Sequence, residues 1–370
     1  MAGQAKAPIL FSPIKVGDMY LQHRICMGPM TRSRSPGEVA NDMNALHYAQ
    51  RATPGGLLIT EGTSPSITAQ GYDHIPGILT ESQAAGWKQV CDAVHKKGGY
   101  ICAQLWHTGR VSTRKFQPGN QAPVSASATK SSRKAEPARA LEVDEIKFIV
   151  NEFRTSAKNS RIAGMDCIEL HGAHGYLIDQ FLQDSSNLRT DSYGGSIENR
   201  CRFLFEVLDA VLLELPASKV AIRLSPFANS SVTDKDPVAL FSYILNRLNG
   251  YKLAYVQFTE PAYASSLTTR TGPPHRESKL NVFNGILKEP TKVMLTGGYE
   301  LESAEEALAT SRGQLIGFGR AFIVMPDLVE RLRHDLPQVA HENPRGMYNP
   351  GPKGYIDYPT YAEEQKRASL

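Results

Sequence analysis

Eight times along the chain a short apolar run gives way to a helical pattern, and that rhythm restricts the folds open to it. The runs are Arg24–Met27, Leu57–Thr60, Tyr100–Leu105, Cys167–Leu170, Val220–Leu224, Tyr255–Phe258, Val293–Leu295 and Leu315–Phe318. They are apolar on both faces and bounded by glycine or polar residues, as strands buried on both sides of a parallel sheet are. Between them, Asp144–Ala163 places Ile146, Ile149, Val150, Phe153 and Ala157 on one helical face, with Gly164 positioned to end it. Thr80-Glu81-Ser82-Gln83 has the form of a capping box ahead of Trp87, Val90 and Val94, and Gly98 closes that helix. Ile197–Leu215 repeats the pattern with Phe203, Leu204, Val207, Leu208, Val211 and Leu212. Weaker patterns cover Ala45–Arg51, Val238–Leu248, Val282–Lys288, Ser303–Thr310 and Pro326–Leu336.

Eight strand–helix pairs are the count of a (β/α)8 barrel. A doubly wound sheet also alternates, but no GxGxxG follows the first strand. The expected fold is therefore α/β, a single TIM-barrel domain over residues 1–370. Two insertions interrupt it, at about 108–141 and 262–280, and both follow strands, so both are expected over the C-terminal mouth. The first carries Lys115, Lys130, Arg133, Lys134 and Arg139, which suit a solvated loop or an attraction for a phosphate-bearing ligand.

The charge balance narrows the partners. Lys and Arg number 41 against 37 Asp and Glu, a net +4, which argues for no nucleic acid. No apolar run approaches the ~18 residues of a membrane span, and Met1 to Val16 lacks the sustained apolar stretch of a secretory signal. The five cysteines (Cys26, Cys91, Cys102, Cys167, Cys201) form no CxxC pair, which excludes zinc ribbons and iron–sulfur motifs. Cys26, Cys102 and Cys167 lie in apolar runs and read as buried reduced thiols, so a cytoplasmic setting is expected. A monomer and a homodimer both remain open.

If the barrel holds, chemistry belongs just beyond the strand ends. Those ends read Pro29-Met30-Thr31, Glu61-Gly62-Thr63, Gln104-Leu105-Trp106, His171-Gly172-Ala173-His174-Gly175-Tyr176, Arg223, Thr259-Glu260, Thr296-Gly297-Gly298 and Gly317-Phe318-Gly319-Arg320. Glycines after the seventh and eighth strands match the recurring phosphate site of such barrels, with Arg320 as a charged partner or a solvated cap. Gln104 suits the N–H and C=O edge of a pyrimidine-like ring. Arg223 in an apolar strand needs a buried partner, either an anionic ring or a carboxylate such as Glu169. His171 and His174 could both donate to one oxygen with Tyr176 as proton source, an oxyanion site with a general acid. Metal ligation by His171, His174 and Glu169, in a lyase or hydrolase, is the alternative, as is a non-catalytic scaffold for a phosphate ligand.

The stretch His171-Gly172-Ala173-His174-Gly175-Tyr176-Leu177-Ile178-Asp179-Gln180-Phe181-Leu182, continued by Asn187 to Arg200, resembles the Old Yellow Enzyme family of FMN-dependent ene-reductases. Gly28-Pro29-Met30-Thr31-Arg32, Gln104-Leu105-Trp106, Gly317-Phe318-Gly319-Arg320 and Gly354-Tyr355-Ile356-Asp357-Tyr358-Pro359 extend the resemblance from Leu10 to Ala362. Thr31, where the other main branch has Cys, sides with the yeast- and plant-like branch, with a fungal source expected. The resemblance implies a non-covalent FMN in the barrel mouth, with Pro29, Met30 and Thr31 at the ring and Thr31 toward O4. It implies Gly62 along the ring, Gln104 at N3 and O2, and Arg223 facing N1 and O2. Gly297, Gly298, Gly319 and Arg320 would hold the phosphate. His171 and His174 would bind the substrate carbonyl, Tyr176 would donate the proton, and Trp106 and Tyr348 would line the pocket.

The implied reaction is ping-pong: NADPH reduces the flavin, then a small α,β-unsaturated carbonyl compound, an enone or enal, is reduced. A role in secondary metabolism goes with it. Some relatives carry Asn at the position of His174, and Gly298 replaces an Asn common elsewhere. Isomerising relatives replace the tyrosine with Phe, so Tyr176 favours net reduction, with flavin-dependent isomerisation as the alternative. No metal is implied.

Overall fold

The computed structural model describes residues 7–227, 231–261, 277–340 and 346–369. An antiparallel hairpin, β1 (Ile14–Val16) and β2 (Met19–Leu21), opens the fold. Three parallel strands follow, β3 (Ile25–Met27), β4 (Leu57–Ile59) and β5 (Tyr100–Leu105). After a two-stranded ribbon of β6 (Val124–Ser125) and β7 (Arg139–Ala140), five more complete the set. These are β8 (Cys167–Gly172), β9 (Val220–Leu224), β10 (Tyr255–Thr259), β11 (Lys292–Thr296) and β12 (Leu315–Phe318). β12 pairs with β3, so the eight parallel strands close into a barrel, as the alternation predicts.

The helices sit between strands. They are α1 (Asp42–Arg51), α2 (Glu81–His95), α3 (Val143–Ala163), α4 (Leu177–Leu182), α5 (Ile197–Leu212), α6 (Pro237–Leu248), α7 (Leu301–Ala309), α8 (Arg320–Val324), α9 (Leu328–Arg333) and the terminal α10 (Tyr361–Ala368). The Thr80 capping box forms as its spacing predicts, and Gly164 ends α3 in the left-handed region at φ 89°. The helix expected at Val282–Lys288 does not form. A 3₁₀ turn, Lys279–Phe283, stands there, because Gly285 takes φ +77° and Pro290 cannot donate to a continuing helix. Of the second insertion, residues 262–276 lie outside the described residues. In the first insertion the basic residues are partly paired, Lys115 with Asp73 at 2.6 Å and Arg139 with Glu145 at 2.7 Å.

Alternation along each strand divides the molecule into two cores. Ile25, Leu58, Ile101, Ile168, Ile222, Val256, Leu295 and Ile316 point outward to the helices. Cys26, Leu57, Ile59, Cys102, Cys167, Ala221, Tyr255, Met294 and Leu315 point inward, and Val16, Met19 and Leu21 of the hairpin close that end of the barrel. All five cysteines are buried and free. Continuing the inward parity upward gives Gln104, Glu169, His171, Arg223, Gln257, Thr259 and Thr296, so the barrel is apolar at its base and polar toward its mouth.

Buried arginines tie the C-terminal segment to the loop after β3. Arg34 donates to the carbonyls of Gly346, Met347, Gly351 and Lys353, and Arg32 to those of Met347 and Gly354. Tyr355 stacks on His47 at 4.0 Å between ring centroids, with the Arg32 and Arg34 guanidinium groups over its ring. Among the described residues, no helix is long and apolar enough to cross a membrane.

Candidate active site

Strand register brings the polar residues of the mouth side by side. Gln104 pairs in register with Glu169, His171 with Arg223, and Arg223 with Gln257. Gln104 Nε2 donates to Glu169 Oε1 at 2.8 Å, and Glu169 Oε2 is buried with no partner. Burial raises the Glu169 pKa, opposed by the nearby Arg223 charge. Arg223 makes no ion pair or hydrogen bond within the described residues, and its Nε is buried without a partner. The salt bridge to Glu169 is therefore not formed, although each feels the other's charge.

Above this layer, β8 runs into a turn that carries the histidine cluster. His174 sits at φ +57°, its backbone N–H donating to Ser225 Oγ at 2.8 Å, and its Nε2 is hydrogen-bonded with Thr259 Oγ1 at 3.0 Å. The His171 and His174 rings lie 5.4 Å apart, and Tyr176 stands edge-on to His171 at 5.2 Å. Trp106 packs against Tyr176 at 4.9 Å and 90°. Tyr72, to which the sequence pattern assigned nothing, stacks on Trp106 at 5.6 Å. The bare turn at Gly62 makes room for Trp106, since a Cβ there would fall 2.2 Å from the indole. Tyr348 stands at the rim, 53% exposed.

Burial sets the protonation of the cluster. It lowers His171 to about 3, helped by the Arg223 charge, and holds His174 well below the usual imidazole range. It pushes the Tyr176 phenol up, reinforced by Tyr72 and opposed by Arg223. Both histidines are thus neutral near pH 7 and Tyr176 is protonated, the states an oxyanion site and a general acid require.

The same burial has a consequence for stability. His23 is lowered to about 4, and His107 and His171 to about 3, each by desolvation first. An imidazole lowered in the fold takes up its proton first in the unfolded chain, so its contribution is full above about pH 6.5 and is lost as pH falls toward the folded value. Each of the three costs ~2 kcal/mol between pH 8 and pH 5. Glu61, Glu152 and Glu169, raised by burial, act in the opposite sense as pH falls from their folded values toward 4.5. Thermal unfolding at the two pH values is expected to show the lower midpoint at pH 5. An equal or higher midpoint there would contradict the neutral-histidine assignment.

The glycine ends of β11 and β12 lie across the mouth. Gly297 has φ +123°, and a Cβ on it would fall 2.8 Å from that of Glu260, so the turn is closed to larger residues. Gly298 follows at φ +71°. Gly319 immediately precedes α8 and abuts Met30, and Arg320 is the partly buried first residue of α8. Pro29, Met30 and Thr31 form the partly buried loop after β3. Its path is set by Glu61, whose Oε2 accepts the Arg32 and Ser33 N–H groups at 2.9 and 3.1 Å. Glu61 and Thr259 occupy strand ends, but only the folded contacts assign them work.

An FMN fits this donor set. Gln104 offers an amide to an N–H and C=O edge, Arg223, partly buried and with its Nε lacking a partner among the described residues, offers a cation to an electron-rich ring, and Gly297 and Gly319 keep side chains off the ends of β11 and β12, where a Cβ would fall 2.8 Å from Glu260 and from Met30. Among the described residues, no group of three or more His, Cys, Asp or Glu is arranged to hold a metal ion.

Known proteins are similar to this chain in sequence and fold. The profile of the NADH:flavin oxidoreductase / NADH oxidase family matches residues 9–339. The chain is 42% identical to 12-oxophytodienoate reductase 1 of Oryza sativa subsp. japonica over 370 residues, covering 98% of this chain and 96% of that protein. It is 42% identical to 12-oxophytodienoate reductase 2 of Arabidopsis thaliana over 367 residues, covering 95% of each. The solved structure of morphinone reductase superposes with a TM-score of 0.89 at 38% identity, covering 96% of this chain and 97% of that one. That of morphinone reductase in complex with tetrahydroNAD gives 0.87 at 39%, covering 95% and 97%. These plant relatives give the expected fungal source no support.

Proposed function

The chain belongs to the NADH:flavin oxidoreductase / NADH oxidase family, the Old Yellow Enzymes, and on that premise we propose that it reduces the activated C=C bond of enones and enals with NADPH. The observation that carries this reading is the convergence of His171, His174 and Tyr176, with the His171 ring 5.4 Å from that of His174 and 5.2 Å from that of Tyr176, at the mouth of a barrel whose inward Arg223 has no polar partner among the described residues. The relatives' names, reductases of 12-oxophytodienoate and of morphinone, support it.

Gln104, Arg223, Thr31 and Gly62, with Pro29 and Met30, would hold the FMN ring, and Gly297, Gly298, Gly319 and Arg320 its phosphate. When bound, FMN supplies a two-electron hydride carrier between the nicotinamide and the alkene. His171 and His174 receive the substrate carbonyl oxygen, and as neutral donors they stabilise the negative charge that grows on it as Cβ becomes saturated. Tyr176 holds the proton destined for Cα, and Arg223 offsets the charge beside it. Trp106 and Tyr72 exclude water from one side, and Tyr348 borders the entrance. The retained Tyr176 hydroxyl favours reduction over isomerisation. Buried, reduced thiols suit a cytoplasmic setting.

An anaerobic titration tests the proposal. The purified protein is expected to carry flavin absorbance, to lose it with NADPH and to regain it on adding cyclohexenone. A protein that neither contains nor takes up FMN, or whose reduced flavin is not reoxidised by any enone or enal, would overturn it.

A further inference from the structure

We infer that Glu169 is a positioning residue for the flavin ring, fixing the orientation of the Gln104 amide and countering the Arg223 charge from below; this rests on the flavin reading above. Glu169 is fully buried in the inward row of β8, beside Gln104 on β5 and one step below the level of His171 and Arg223. One carboxylate oxygen accepts the Gln104 Nε2 hydrogen bond at 2.8 Å, and the other has no partner.

Two consequences follow from that placement. A carboxylate has no hydrogen to donate, so only the nitrogen end of the Gln104 amide can face it. The Gln104 oxygen is then left as an acceptor, matched to a ring N–H such as flavin N3–H. Without the carboxylate, the amide could turn over at little cost and present the wrong end. The second consequence is electrostatic. Glu169 and Arg223 attract each other through the low-dielectric barrel interior without an ion pair forming between them. Arg223 therefore keeps donors for the ring, while Glu169 limits how strongly its charge favours an electron-rich, reduced ring.

The pair of variants Glu169→Gln and Glu169→Asp separates the two roles. Glu169→Gln removes the charge and lets the amide turn. Its FMN dissociation constant is expected to rise about tenfold, the loss of one hydrogen bond to a charged partner. The N3–H proton of bound 15N-labelled FMN is expected to exchange faster with solvent, and the flavin midpoint potential to shift upward. Glu169→Asp keeps the charge at a longer reach, so its potential is expected to stay nearer that of the parent while the N3–H exchange still quickens. Thermal melting of each apoprotein reports folding independently. Folded variants that match the parent in potential and in N3–H exchange would overturn the role of Glu169 and leave the flavin reading standing. A parent protein that takes up no FMN would overturn both.

Discussion

Replacing Tyr176 with Phe is expected to slow alkene reduction by about 10²- to 10⁴-fold, the range of general-acid assistance, while leaving flavin reduction by NADPH unchanged. The side chain is partly buried and its pKa is raised chiefly by desolvation, so the phenol carries its proton near neutral pH. Only the hydroxyl is lost in the variant. The ring keeps its edge-on packing against Trp106 at 4.9 Å and against His171 at 5.2 Å, so the pocket shape survives. Stopped-flow measurement of the two half-reactions separates the steps. Equal slowing of both would point to a structural effect, and no slowing of either would remove Tyr176 from the role of acid.

How much of this site could be read before folding follows from which contacts are local. Strand parity alone places Gln104, Glu169, His171 and Arg223 on the inward side, because each lies an even number of residues from a small or apolar inward neighbour such as Cys102, Cys167 or Ala221. The His171 to Tyr176 turn is likewise contained in one segment. Tyr72 and Thr259 were not legible as partners, since Tyr72 reaches Trp106, and Thr259 reaches His174, from other strand–helix units. The arginine strap is more distant still, with Arg34 and Gly351 separated by 317 positions. Nothing in the local sequence pairs Arg32 or Arg34, and the carbonyls that turn toward them make their burial tolerable. The absent helix at Val282–Lys288 is a case of local conflict. Its apolar spacing suits a helix, but a glycine at positive φ and a following proline forbid one.

The second large effect is expected at the histidine pair. Substituting His171 or His174 by Ala should each reduce the rate of alkene reduction by about 10²- to 10³-fold, the cost of removing one oxyanion donor. If both rings serve one oxygen, as proposed, the double variant should lose less than the product of the two. The pH dependence distinguishes this role from that of an acid with an ordinary imidazole pKa. His171 is lowered to about 3 by burial and the Arg223 charge, so it has no proton to lose between pH 5 and 8. His174 is held low by the same causes, with His171 adding to them. The rate of alkene reduction by pre-reduced enzyme should therefore show no inflection near 6.5 in the parent. An inflection there that vanishes in His171→Ala or His174→Ala would mean that the ring is charged and serves as the acid itself. A flat profile together with the loss in rate would leave both as neutral donors, with His174 held in place by Thr259, and the proton then has Tyr176 as its source.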